Sequence, residues 1–334
     1  MSVPRTSPVV VITGASGGIG RATAVAFGRR GWRVALLARG EDGLEGARRD
    51  VEAAGGQGLA IGCDVANAPE VEAAAERAER ELGPIEVWVN NAMATVFCDA
   101  LSVSDEDFRR ATDVTYFGAV WGTRAALRRM KPRNRGAVVQ VGSALAYRSI
   151  PLQAPYCAAK SALRGFTDSL RSELIHDKSR VHLTMVHLAA FNTPQFDWGR
   201  TCIPRRPRPV GKIFQPEIAA EAIYWASRRR RRELWVGWPA VQAILGQRFV
   251  APYLDRRLAH EAWDGQLSDE PLPPGRRDNL WEPVPGDAGA HGRFDSEAIG
   301  VSVQHWLNTH RGLVAAALLG AGWLVTRATR YRRS

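Results

Sequence analysis

The chain has 334 residues, 45% hydrophobic and 24% charged, which excludes a wholly disordered protein and provides enough apolar surface for a large core. The formal charge of +11 comes almost entirely from Arg, and most of the excess lies after residue 200. No recognition motif accompanies that charge, so nucleic acid is not an expected partner.

Cys63, Cys98, Cys157 and Cys202 are widely spaced and form no C-x-x-C pair. This spacing predicts small apolar fillers in a reducing, cytoplasmic setting, with no disulfide framework and no metal site. At the start of the chain the apolar run Val9 to Ile12 is too short for a signal-peptide core and leads directly into glycines.

That run is β-branched and uninterrupted, as a strand covered on both faces would be. Ile19 to Arg30 has helical spacing, Gly31 ends it, and Arg33 to Leu37 supplies the next strand, a βαβ unit. Further strands are predicted at Leu59–Cys63, Ile85–Val89, Ala137–Val141 and Thr184–Leu188, with a last short one at Leu234–Gly237. Helices are predicted over 41–54, 69–82, 105–130 and 154–176. Such alternation specifies an α/β fold of the Rossmann type, a doubly wound parallel sheet with helices on both faces. The catalytic domain is assigned to residues 1–245. Residues 246–297, rich in Pro and Gly toward their end, are expected to form an extended arm on the surface or toward a partner, and 298–334 a helical tail.

Thr13-Gly14-Ala15-Ser16-Gly17-Gly18-Ile19-Gly20 follows a predicted strand and opens a predicted helix, the context in which a glycine-rich motif binds a dinucleotide. Gly14 makes the turn, Gly18 admits the pyrophosphate, Gly20 allows close packing, and the free N–H groups at the helix start, with Ser16 and Ile19, face the anion. Strand 2 ends in Ala38-Arg39 rather than an acid, which favours the 2′-phosphate of NADP(H) over NAD(H). Asp64 and Val65 after strand 3, and Asn90, Asn91 and Ala92 after strand 4, fall at the same sheet edge.

Tyr156 and Lys160 are spaced i, i+4 in a helical pattern, and Ser143 ends the preceding strand. An ammonium beside a phenol favours phenolate, so the Tyr156 pKa is expected to fall toward neutrality, which suits a general acid or base. Ser143 would hydrogen-bond a substrate oxygen as charge develops on it.

In this order and spacing, Thr13-Gly14-x-x-x-Gly18-x-Gly20, Asp64, Asn90-Asn91-Ala92, Ser143 and Tyr156-x-x-x-Lys160 resemble the short-chain dehydrogenases/reductases over residues 8 to 240. The resemblance implies hydride transfer between the nicotinamide and a carbonyl or alcohol carbon, with Tyr156 exchanging the proton, Lys160 on the nicotinamide ribose, Thr193 at the nicotinamide amide or phosphates, and a homo-oligomer. Thr115 stands where the family usually has the Asn of a proton relay, and its hydroxyl is a candidate substitute. Met93 replaces a usual Gly.

Tyr147, Phe191 and Phe196 are expected to meet the substrate, a lipophilic carbonyl or alcohol. The second reading is a catalytically weak, cofactor-sensing binding protein at a membrane. It draws on the end of the chain, where an amphipathic stripe (Ile299, Val303, Trp306, Leu307) leads into the apolar stretch Leu313–Val325 and an Arg-rich terminus. Residues 299–334 are therefore a candidate membrane contact, an interfacial or re-entrant anchor because 13 residues are too few to span a bilayer comfortably; a helix buried against a subunit or over the active site, and a tilted span, are the other readings.

Overall fold

In a computed structural model that describes residues 7–312 and 314, Val9–Thr13 forms β1, with all five side chains buried. It is an inner strand of a seven-stranded sheet with β2 (Arg33–Ala38), β3 (Gln57–Gly62), β4 (Ile85–Asn90), β5 (Ala137–Ser143), β6 (His182–Leu188) and β7 (Glu233–Val236). The order is β3-β2-β1-β4-β5-β6-β7 and every neighbouring pair is parallel. Strand order reverses between β1 and β4, and in such sheets ligands bind at the carboxyl ends of the strands beside that switch.

Helices α1 (Gly18–Gly28), α2 (Glu41–Ala53) and α7 (Pro216–Arg228) cover one face, burying Phe27, Leu44 and Ile223 against Val10, Ile12 and Val139. On the other face, α3 (Ala68–Leu82), α5 (Gly118–Arg133) and α6 (Ala154–His176) bury Val71, Ala125 and Leu174 around Trp88. Each large side chain so enclosed contributes roughly 1.5–3 kcal/mol.

The long helix expected over 105–130 is two: α4 (Asp105–Thr112) and α5, joined by a π-turn at Asp113–Phe117. Ser104 caps α4 by accepting from the Asp107 N–H. Thr115, in the π-turn, has its hydroxyl bonded to both the N–H and the C=O of Ala94, at 2.9 Å each.

The boundary expected at residue 245 falls inside α8 (Trp238–Asp264), which breaks its helical geometry at Val250, two residues before Pro252. Leu267–Pro271 then pairs antiparallel with Arg205–Pro207. Beyond it the chain runs back across the carboxyl ends of the strands, burying Leu280 and Phe294. The short α9 (Val303–Thr309) lies beside β7, where the Gln304 amide donates to the Trp235 carbonyl and accepts from the Gly237 N–H. Trp306 and Leu307 are partly exposed. Most of the apolar stretch 313–325 and the arginines beyond it lie outside the described residues, and among the described residues no helix is long and apolar enough to cross a membrane.

The expectation of four free thiols is corrected. Cys98 and Cys202 are joined in a disulfide with a Cα–Cα distance of 5.3 Å, and Cys63 and Cys157 are free and buried. The residues that carry the two bonded thiols are brought together by pairing of Val96–Phe97 with Arg200–Thr201, a contact that residue spacing does not reveal. The bond closes a loop of sequence separation 104, for which chain entropy gives on the order of 4–5 kcal/mol. Dithiothreitol is therefore expected to lower the melting temperature. Alkylation of the unreduced, denatured chain should modify Cys63 and Cys157 alone; modification of all four would show that the bond does not form.

Candidate active site

Thr13 at the end of β1 organises the glycine turn. Its Oγ1 accepts from the N–H groups of Asn91 and Ala92, both at 3.0 Å, and the Asn91 amide donates back to the carbonyls of Thr13 and Gly14. Gly14 has φ +65°, and a Cβ on Gly20 would overlap the Gly14 carbonyl, so the turn and α1 approach as closely as they do only with glycine at both positions. Ser16, Gly18, Ile19, Arg39, Asp64 and Val65 all line one cavity of about 200 Å³. Thr193 packs its side chain against Gly18.

The sequence-chosen residues do not all play the part expected of them. Asn90 faces away from the groove: it accepts from Trp88 Nε1 at 2.8 Å and donates to Thr123 and Gln140, a buried polar network between β4, β5 and α5. Its neighbour Asn91 is the residue that holds the turn. Asp64 accepts from Arg110 at 2.6 Å and caps its own turn through the Ala66 N–H. Arg39 donates to the backbone carbonyls of Asn279, Leu280 and Trp281, and burial lowers its pKa, with the nearby Arg110 charge acting in the same direction. The Gly18 N–H at the start of α1 donates to the Gly289 carbonyl at 3.1 Å.

Ser143, Tyr156 and Lys160 converge. Ser143 Oγ accepts from the Leu145 N–H at 3.1 Å, and the Lys160 ammonium lies 5.7 Å from the centroid of the Tyr156 ring. Lys160 donates to the Val141 carbonyl at 2.6 Å, and burial brings it down to about 8. The expected fall of the Tyr156 pKa is corrected: burial raises the phenol above its ordinary value, and the hydrogen bond with Ser143 opposes this only in part. Thr115 is fully buried and spends its single hydroxyl proton on the Ala94 carbonyl while accepting from the Ala94 N–H, so it has no proton left to donate to a relay in this arrangement.

Of the residues expected at the substrate, Tyr147 donates to Glu233 at 2.7 Å, Phe191 packs on Phe214, and Phe196 is enclosed by Phe97, Ile213 and Phe294. All three are spent on packing or on an internal hydrogen bond. Sequence reasoning missed buried His187, whose Nδ1 lies 3.1 Å from the Ser143 carbonyl and which burial takes down to about 4, against the pull of Glu233. It also missed Gln153, three residues before Tyr156, bonded at 2.6 Å to the buried Gln266. A polar residue in an apolar strand was the only signal for the first, and the second depends on a partner 113 residues away.

The groove fits a dinucleotide by its donors and its glycines. Gly18 leaves room above a helix start, and a guanidinium stands at the end of β2. Similarity to known proteins points the same way. The profile described as short chain dehydrogenase matches residues 8–198. A Bacillus subtilis protein described as uncharacterized oxidoreductase YxnA is 32% identical over 329 residues, 96% of this chain and 91% of that one. The 17-beta-hydroxysteroid dehydrogenase 13 of Rattus norvegicus is 36% identical over 165 residues, 49% of this chain and 55% of that one. Among solved structures, an alcohol dehydrogenase from the archaeon Thermococcus sibiricus complexed with 5-hydroxy-NADP is 28% identical, with TM-score 0.60, covering 69% of this chain and 96% of that one. A metagenomic short-chain oxidoreductase in complex with NADP is 26% identical, with TM-score 0.58, covering 70% and 98%.

Replacing Asn90 with Leu should leave the Trp88 Nε1 donor and the Gln140 Oε1 acceptor unpaired, at a cost of about 1–3 kcal/mol for each, while Thr123 keeps its bonds to Gln140 and Ala119. Urea unfolding is expected to show that loss while dinucleotide affinity stays near wild type. A large drop in affinity at unchanged stability would return Asn90 to the groove.

Proposed function

Since the chain belongs to the short chain dehydrogenase family, oxidoreductases acting on CH–OH and C=O groups, we propose that it prefers NADP(H) and reduces or forms a carbonyl on a lipophilic small molecule, with Tyr156 as acid and base. The convergence of Ser143, Tyr156 and Lys160 at the carboxyl end of β5 carries this reading. When bound, the nicotinamide supplies or accepts the hydride. The chain's own residues manage the proton and the substrate oxygen.

In the reducing direction the Tyr156 hydroxyl donates its proton to the carbonyl oxygen as that oxygen gains charge, and Ser143 holds the same oxygen by hydrogen bonding. The phenolate left behind is stabilised by the Lys160 ammonium one helical turn along. In the oxidising direction the phenolate takes the alcohol proton. The raised pKa of the free phenol keeps Tyr156 protonated at neutral pH, which suits reduction. Met93, Val114 and Trp198 give the dinucleotide groove apolar walls against which the flat rings of a cofactor can pack. Arg39 at the end of β2 supports NADP(H), as do the NADP ligands of the two similar structures.

Purified protein is expected to oxidise NADPH in the presence of a hydrophobic ketone or aldehyde, and Tyr156→Phe to abolish turnover. Its kcat/KM for reduction should stay level through neutral pH, whereas the reverse reaction should accelerate as pH rises. Equal turnover in the Phe variant would remove the mechanism. For the cofactor, Arg39→Asp is expected to cut the ratio of NADPH to NADH affinity, read by titration calorimetry; an unchanged ratio would separate Arg39 from cofactor choice.

A further inference from the structure

We propose that the segment Asn279–Gly292 is an internal occupant of the phosphate subsites of the dinucleotide groove, and that NADP(H) binds by exchange with it. The proposal rests on the NADP(H) function above. Its basis is that backbone carbonyls of the segment take up donors at both places where the cofactor presents anionic oxygen.

At the start of α1, where the pyrophosphate of a dinucleotide binds, the Gly18 N–H already donates to the Gly289 carbonyl at 3.1 Å. At the end of β2, where a 2′-phosphate would meet Arg39, the guanidinium already donates to the carbonyls of Asn279, Leu280 and Trp281. A single N–H pointed at a carbonyl oxygen does not serve a phosphate as well, and the carbonyl's partial negative charge repels the incoming anion. The cavity of about 200 Å³ left beneath the segment is smaller than the roughly 300–1,000 Å³ of ordinary ligand pockets.

The segment is held by a specific clamp. Asp287 forms a two-pronged ion pair with Arg21, a residue of α1 that is 5% exposed and is also bonded to Asp50 at 2.7 Å. The Asp287 carboxylate additionally accepts from the Gly289 N–H at 3.2 Å, which fixes the turn carrying the Gly289 carbonyl. Asp42 of α2 accepts from the Gly286 N–H at 2.9 Å. Gly46 of α2 leaves the space that Asp287 fills, and a Cβ there would collide with its carboxylate. With Asp287 withdrawn, Arg21 keeps Asp50, so the segment can leave without stranding a buried charge.

Exchange of this kind reduces apparent cofactor affinity by the fraction of molecules whose groove is open. It also narrows the margin between the two cofactors, because NADP(H) must displace the segment at both Gly18 and Arg39, whereas NAD(H) contests only the first.

The test is calorimetric titration of NADPH into the full chain and its Asp287→Asn and Gly46→Ala variants, with hydrogen exchange of the wild type alongside. Both variants should bind about tenfold more tightly, and backbone amides of 279–292 should exchange faster in wild type when NADPH is added. Binding of lower affinity in the variants, or slower exchange of that segment with NADPH, would show that it covers the cofactor instead of competing with it. If NADPH binds none of the three proteins, the cofactor reading falls and this proposal falls with it. If NADPH binds all three alike, the proposal alone is lost.

Discussion

The hydroxyl of Thr13 is the point on which the groove depends. It ends β1, beside the switch point, and accepts two N–H groups from the turn after β4, so the switch point of the sheet is closed by side-chain hydrogen bonds as well as strand pairing. From that fixed edge the glycine turn enters α1 with its donors pointing outward. The Asn91 amide returns the contact from the other side. The groove therefore has a rigid floor, and what varies above it is the chain that crosses it.

Much of the fold was legible because burial on both faces writes itself into sequence. Val9–Ile12 is an unbroken apolar run, Ile85–Val89 and Ala137–Val141 are each interrupted by a single polar residue, Glu86 and Gln140, and each of the three is an inner strand. β3 is an edge with exposed ends, and its run was read two residues late, as Leu59–Cys63 instead of Gln57–Gly62. The π-turn at 113–117 left no mark, because Thr115 looks like any helical threonine until its partner Ala94 is seen. The disulfide between Cys98 and Cys202 is likewise a product of tertiary pairing.

The candidate site was legible where side chains carry the chemistry and opaque where the backbone does. Ser143, Tyr156 and Lys160 announce themselves by type and spacing. Asn90 and Asn91 are adjacent and identical, yet strand alternation sends one into a buried network and the other to the glycine turn. The environment of Tyr156 depends on how much apolar matter surrounds the phenol, a quantity that no motif encodes. Least visible was the crossing of 279–292, since its contacts to Gly18 and Arg39 are made by carbonyls that every residue possesses.

Gln304 has a comparable and quieter importance at the far side of the sheet. β7 is the last strand, and its outer rim presents peptide groups with no strand to receive them. The carboxamide of Gln304 satisfies two of these, imitating a single residue of an eighth strand without extending the sheet. An unprotected rim of this sort is a template for lateral accretion of other chains. At Trp235 and Gly237 the C-terminal region thus closes that border with a side chain, where a further strand would otherwise pair.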